Sequence, residues 1–299
     1  MNAEFKMQNA ELTWDCLFNT LNCIIIKKCR GRCRHTPLQI FDFIHRFVLK
    51  KQPHVFKGMI FMTYPNLPND TVKVFIADCD IPGCTVIPPF ELSILPKGLR
   101  RHADMGICFV SSKKAVCPPE SCVYYRNELL PYGIEVIEGK TKIGSNYPHD
   151  CAYNVGIVGK KCFLNKNVCD VTLLDILTSE GFEILHVKQG YSKCSICPID
   201  ENTFITADKG IASTGKNAGM EVLLITNEGI LLEGYENGFW GGSCGLGAPD
   251  ILLVNGEIST IPSGKEIEAF LFQKGIKIKN LKKGEIIDIG SILPLMYKS

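Results

Sequence analysis

Four glycines constrain what this chain can fold into more than any other feature. Gly133, Gly181, Gly219 and Gly275 each close a run of helix-forming residues and open a short alternating apolar stretch, as in Ile176-Leu-Thr-Ser-Glu-Gly181-Phe-Glu-Ile-Leu185. Glycine in that place suits the C′ position of a helix, where a left-handed backbone satisfies the last carbonyls before a strand begins. Ahead of each helix lies a pair of short strand-like runs. These are Ile107–Val110 with Ala115–Cys117, Val155–Val158 with Lys161–Leu164, Cys194–Ile199 with Thr203–Thr206, and Ile251–Val254 with Ile258. Turn residues such as Asp200-Glu201-Asn202 and Asn255-Gly256 separate the members of a pair. The predicted unit is therefore strand, strand, helix, strand, repeated four times with glycine spacings of 48, 38 and 56 residues. A weaker first copy covers Val72–Gly98, where Val72–Ala77 reads as a strand and prolines obscure any helix. Repeats of this period build solenoids, propellers or closed rings, and a helix in every unit favours a ring of α/β modules.

The charge splits the chain in two. Residues 1–58 carry ten Lys/Arg against four Asp/Glu, and residues 59–299 carry 23 against 27, so +6 meets −4. The first part reads as a basic, Cys-containing extension with one amphipathic helix over Pro37–Lys51, which the fold of 59–299 does not need. Leu12–Ile26 is too short and too polar to span a bilayer and makes a poor signal peptide. Cys29, Cys33 and His35 lack a fourth ligand and the spacing of a zinc finger. The fifteen cysteines are scattered without a framework spacing, which reads as reduced thiols in a cytoplasmic protein.

The chemistry points to Gly238-Phe-Trp-Gly-Gly-Ser-Cys-Gly-Leu-Gly247, with five glycines in ten residues. Such a run permits left-handed backbone or a very close approach of neighbours, and is expected to form no strand or helix interior. It brackets Cys244 beside Trp240. Cys244 is either a nucleophile on a tight turn or a small buried hydrophobe. The run lacks the strand–helix context and distal acid of a dinucleotide site, so no cofactor is expected.

Several segments carry a resemblance. They are His102-Ala-Asp-Met105, Tyr147-Pro-His-Asp-Cys-Ala-Tyr-Asn-Val155, His186-Val-Lys-Gln-Gly-Tyr-Ser-Lys-Cys194, Asp200-Glu-Asn-Thr-Phe-Ile-Thr-Ala-Asp208, Gly238-Phe-Trp-Gly-Gly242 and Asp288-Ile-Gly-Ser-Ile-Leu-Pro-Leu295. In these the chain resembles an uncharacterised bacterial family with the guanidino-group-modifying-enzyme, or pentein, fold. The resemblance covers about residues 62–297. It implies an α/β propeller of about five ββαβ modules around a pseudo-fivefold axis. It also implies a Cys-dependent hydrolase, deiminase or amidinotransferase acting on a guanidino or amidino compound.

On that resemblance Cys244 matches the nucleophile's neighbourhood, and His102-Ala103-Asp104 meets the family's H-x-D pattern. Asp104 and Asp150 would hold the cation between them. His102 lies in an earlier module than the hydrolases' histidine, and Cys244 follows Gly241-Gly242 after a shorter spacer than theirs. His186, at a strand end read as facing the centre, is the second acid/base candidate, with Lys188 and Trp240 as substrate contacts. Cys194-Ser-Ile-Cys197 reads as alternating strand positions, and Cys194, opening its module as Asp104 and Asp150 open theirs, is placed with the substrate-binding set. No metal site is expected, and no nucleic-acid partner for the −4 main domain. The alternative is a catalytically inactive ring that binds a small ligand or a protein.

Overall fold

A computed structural model describes residues 73–295. The extension predicted over 1–58, with its helix and its Cys29, Cys33 and His35, lies outside the described residues. Fifteen strands form five three-stranded sheets of one design. In each, a first strand runs antiparallel to a middle strand, and the middle strand runs parallel to a third.

The first sheet holds β1 (Val74–Ile76) and β2 (Thr85–Ile87). The second follows a helical turn, α1 (Ala103–Gly106), with β3 (Cys108–Ser111), β4 (Lys114–Cys117), helix α2 (Pro119–Leu129) and β5 (Glu135–Glu138). The third comprises β6 (Gly156–Val158), β7 (Lys161–Leu164), helix α3 (Val171–Ser179) and β8 (Glu183–His186). A second helical turn, α4 (Ser192–Ser195), leads into β9 (Ile196–Pro198), β10 (Thr203–Thr206), helix α5 (Lys209–Asn217) and β11 (Glu221–Leu224). The fifth comprises β12 (Cys244–Ala248), β13 (Ile251–Val254), helix α6 (Gly264–Gln273) and β14 (Lys277–Asn280). The last strand, β15 (Leu293–Pro294), pairs antiparallel with β1 and so supplies the missing first strand of the first sheet.

The four glycines do what their positions demand. Gly133, Gly181, Gly219 and Gly275 have φ between +64° and +76°, and each precedes the third strand of its sheet. The helices bury one side by helical spacing: Leu173 and Leu177 of α3, Ile211 and Gly215 of α5, Ile267 and Leu271 of α6. Asp170 and Asp208 cap α3 and α5, accepting hydrogen bonds from the backbone of Leu173 (3.0 Å) and Ile211 (2.8 Å). Among the described residues no helix is long and apolar enough to cross a membrane.

The weaker first copy has its strand, β1, within Val72–Ala77, and β1 reaches the parallel β2 through a turn without a helix. One strand pairing differs from expectation. In the fifth unit the strand pair is β12 with β13, while Ile258 lies in a 3-10 turn. The glycine run thus does contain a strand interior. Glycine is tolerated there because its neighbours come very close: a Cβ at Gly245 would strike the Ile292 carbonyl, and one at Gly247 would crowd the Leu253 side chain.

Candidate active site

The residues just ahead of the five first strands converge on one buried polar cluster. Asp104 lies in α1 before β3, Asn154 stands two residues before β6, and Cys194 two before β9. Gly242 and Ser291 hold the same offset before β12 and β15. Four of these positions share an offset of two residues and Asp104 lies four before its strand, so corresponding entry segments of the repeat meet.

Asp104 is the hub. Its Oδ2 lies 2.6 Å from Ser291 Oγ and accepts from the Cys194 thiol at 3.2 Å. Ser291 Oγ also lies 2.9 Å from the Gly241 carbonyl and accepts from Lys193 Nζ at 2.9 Å. Its single proton is best used on the shorter, charge-assisted bond to Asp104. The Asn154 amide spans the gap: its oxygen accepts from the backbones of Lys193 (2.7 Å) and Cys194 (3.2 Å). Its nitrogen donates to the Asp104 carbonyl (3.2 Å) and stands 3.0 Å from Cys194 Sγ. Ser291 is the one described non-glycine residue with positive φ, at 73°. Holding a serine there costs on the order of 1–3 kcal/mol, and such strain gathers at functional sites.

The glycines of the Gly238–Gly247 run let these elements close up. A Cβ at Gly241 would press on the carbonyls of Cys194 and Ile196, and one at Gly242 would overlap the Asp288 carboxylate. Asp288 in turn accepts from the backbones of Phe239 (2.8 Å) and Gly290 (3.0 Å), and its Oδ1 lies 3.9 Å from His102 Nε2.

The cluster is buried yet incompletely bonded. His102, Asp104 and Cys194 are 4%, 1% and 3% exposed. Neither ring nitrogen of His102 has a hydrogen-bond partner, nor has Oδ1 of Asp104 or Asp150. Unpartnered buried polar groups are rare and costly, so each implies a job. Burial pushes the Cys194 thiol well above its ordinary pKa of 9.0, and the charges of Asp104 and Asp288 push it further. Burial likewise raises the Asp288 carboxyl, against the opposing pull of His102.

One donor atom each from His102, Asp104 and Cys194 all lie within 4.8 Å of one another. An imidazole, a carboxylate and a thiol are the mixed set that zinc accepts, so these three are also the residues that could hold a metal. The same three groups supply a nucleophile, a proton carrier and an anionic support.

The structure separates the remaining sequence candidates. Cys244 is buried in an apolar core with Cys197 and Trp240, and its thiol donates to the Trp240 carbonyl at 3.1 Å. Burial and Cys197 raise its pKa well above the ordinary value, and no hydrogen bond links it to His102 or Asp104. Trp240 is fully buried in that core, with Nε1 unpartnered. Asp150 is held apart from the Asp104 hub, accepting from Tyr191 at 2.6 Å beside the rings of Tyr147 and Phe239. Burial raises its carboxyl pKa, and the Tyr191 bond opposes that rise.

His186 and Lys188 lie outside the buried cluster. β8 is the outer strand of its sheet, both residues are exposed, and His186 Nδ1 accepts from the Lys166 backbone at 3.2 Å. Residues of all five first strands, and of no third strand, line one common cavity. Ser291, Asn154, Lys193 and Asp288 were not singled out from the sequence. All four lie within the segments that carry the resemblance, but only Asn154 and Ser291 share the offset of two residues before a first strand, and those strands are too short to locate to a residue. Cys194, placed with the substrate set, is the thiol that the cluster contains.

No curated protein matches the sequence of this chain. Among solved structures, it aligns with dimethylarginine dimethylaminohydrolase from Pseudomonas aeruginosa at a TM-score of 0.42 and 11% identity, over 67% of this chain and 74% of that one. It aligns with the inosamine-phosphate amidinotransferase of Streptomyces griseus at 0.45 and 12%, over 73% and 76%. With Campylobacter jejuni agmatine deiminase the values are 0.38 and 14%, over 56% and 61%. A family model described as a family of unknown function, DUF6873, matches residues 74–293, and the chain belongs to that family.

Proposed function

We propose that the five sheets form a ring about a central axis and that the cluster at one end of it is a thiol active site for guanidino or amidino compounds, with Cys194 as the nucleophile. Support for the ring comes from the order of neighbours. First strands lie against one another in the sequence β15, β12, β9, β6, and the chain's last strand completes its first sheet. The observation that carries the chemistry is the buried meeting of His102, Asp104 and Cys194, with both imidazole nitrogens and Asp104 Oδ1 unpartnered.

A planar cation suits this site. Its N–H groups would meet the free Oδ1 of Asp104, and its charge would offset Asp104 and Asp288, whose charges add to burial in keeping the Cys194 thiol protonated. The thiol proton then passes to a nitrogen of His102, and the thiolate forms a C–S bond to the amidino carbon. The C–N bond breaks as His102 returns the proton to the departing amine. Water attacking the resulting thiouronium carbon gives a ureido product and restores the thiol. An incoming amine attacking the same carbon gives amidino transfer.

Complete burial of the three groups favours the second reading, a catalytically silent ring. One panel decides. Guanidino and amidino compounds are assayed for ammonia, released amine, ureido product and transfer to hydroxylamine, using the full chain beside Cys194→Ser and Cys244→Ser. Turnover of one compound that is lost in Cys194→Ser and kept in Cys244→Ser is the expected result. Turnover that survives Cys194→Ser, or none across the panel, overturns the proposal.

A further inference from the structure

Behind the cluster the same five first strands enclose a cavity of about 720 Å³. That is within the range of small-molecule sites. Phe109, Ile157, Cys197, Leu246 and Leu293, one from each of β3, β6, β9, β12 and β15, contribute to its wall, which is predominantly apolar. Besides the hydroxyls of Ser111 and Ser112, charged groups break the apolar lining at two places. Asp200 and Glu201, in the turn after β9, stand exposed on the wall, and Lys193 lines the cavity just before β9. The strand β9 (Ile196–Pro198) lies between these two ends.

Lys193 is the informative residue. Its ammonium group donates to the neutral Ser291 hydroxyl and makes no ion pair with a described residue. A half-buried cation beside an apolar wall reaches a carboxylate only through the Ser291 hydroxyl, which bonds Asp104, and so lacks the direct partner that such charges ordinarily have. The acids at the opposite end would repel an anionic group there and so fix one orientation.

We infer that this cavity binds an elongated apolar molecule carrying one carboxylate, its head on Lys193 Nζ and its chain running along β9 toward Asp200. The reading is independent of any chemistry at Cys194. It makes the apolar wall a ligand site, with the acids at Asp200 and Glu201 setting the direction.

Titration calorimetry on the full chain tests it with three probes of equal length: decanoate, decanol and decylammonium. Decanoate is expected to bind at least tenfold more tightly than either of the others, with a negative heat-capacity change from apolar burial. Lys193→Met should lower decanoate affinity at least tenfold and leave decanol unchanged, the latter also showing that the variant is folded. Leu246→Trp, which fills the cavity, should weaken both. Absence of decanoate binding, equal affinity for the three probes in the unmodified chain, or decanoate binding unaltered in Lys193→Met or Leu246→Trp overturns the inference.

Discussion

Cys194 and Cys197 are three residues apart and live in opposite surroundings. Cys194 touches a carboxylate and an amide in the polar cluster, whereas Cys197 lies in the apolar core beside Cys244 and lines the cavity. The same change occurs from Ser291 to Leu293 and from Asn154 to Ile157. Entry positions gather polar groups, because there the chain has not yet joined its ladder and side chains can turn to one another. Strand positions present apolar side chains to a shared interior, because the ladder has taken up the backbone polar groups. A thiol's role in this protein follows from which side of that boundary it occupies.

The largest expected effect breaks the comparison at its boundary. Given turnover of a guanidino compound, Cys194→Ser should lower kcat by about a thousandfold or more, and Cys244→Ser by less than about threefold. Equal losses in the two variants would show that the boundary does not sort the thiols.

A charge moved across the boundary should come next. Val155 is 3% exposed and lines the cavity, with none of the donors that surround Asp104. Val155→Asp should therefore cost about 3–5 kcal/mol in urea unfolding, the penalty of an uncompensated buried charge. A loss below about 1 kcal/mol would mean that water already fills the cavity and that its walls are less apolar in effect than in composition.

How much of this was legible in the sequence follows from the same division. Repeated units show through the helix-ending glycines, since a left-handed C′ position is a local demand that Gly181 or Gly219 meets with almost no tertiary help. The closing strand did not show. Leu293–Pro294 is two residues long and becomes a strand only because β1 lies beside it, 217 residues earlier from Ile76 to Leu293. Gly238–Gly247 reads from sequence as a place of close approach, and it is one, with Cys244 inside it buried among apolar side chains. The glycines there admit Asp288 and the carbonyls of Cys194 and Ile196, so the run lets another unit come close. Ser291 and Lys193 lie in segments that carry the resemblance, but nothing local picks them out there, because their contacts form only where distant entry points meet.

Two buried carboxylates sharpen the comparison further. Asp170 sits outside the cluster, and burial alone would raise its pKa. Backbone N–H bonds from Leu173, Thr141 and Lys140 outweigh that and hold it below its ordinary 3.8. A depressed folded pKa gives stability that is present above the ordinary value and lost as pH falls through the folded one. Asp170→Ala should cost about 2–4 kcal/mol at pH 7, from one lost helix cap and two stranded donors, and the difference from the parent should shrink in acid. A difference that grew in acid would place the favourable charge elsewhere.

Asp288 has the opposite sign and the smallest expected effect. Its folded pKa lies above 3.8, chiefly through burial, so the native state binds more protons than the unfolded chain between those two values. Stability therefore falls as pH rises through that window, and the ionised form above it carries the full penalty. Asp288→Asn keeps the shape and one acceptor but cannot accept from both Phe239 and Gly290, which costs about 1 kcal/mol at any pH. The variant should hence compare worst with the parent in acid and gain on it as pH rises, the reverse of Asp170→Ala. Urea midpoints of both variants at pH 4, 5, 6 and 7 measure the two slopes. Slopes of the same sign would mean that the polar cluster stabilises its carboxylate as an ordinary cap does, leaving no stored charge for a cation to offset.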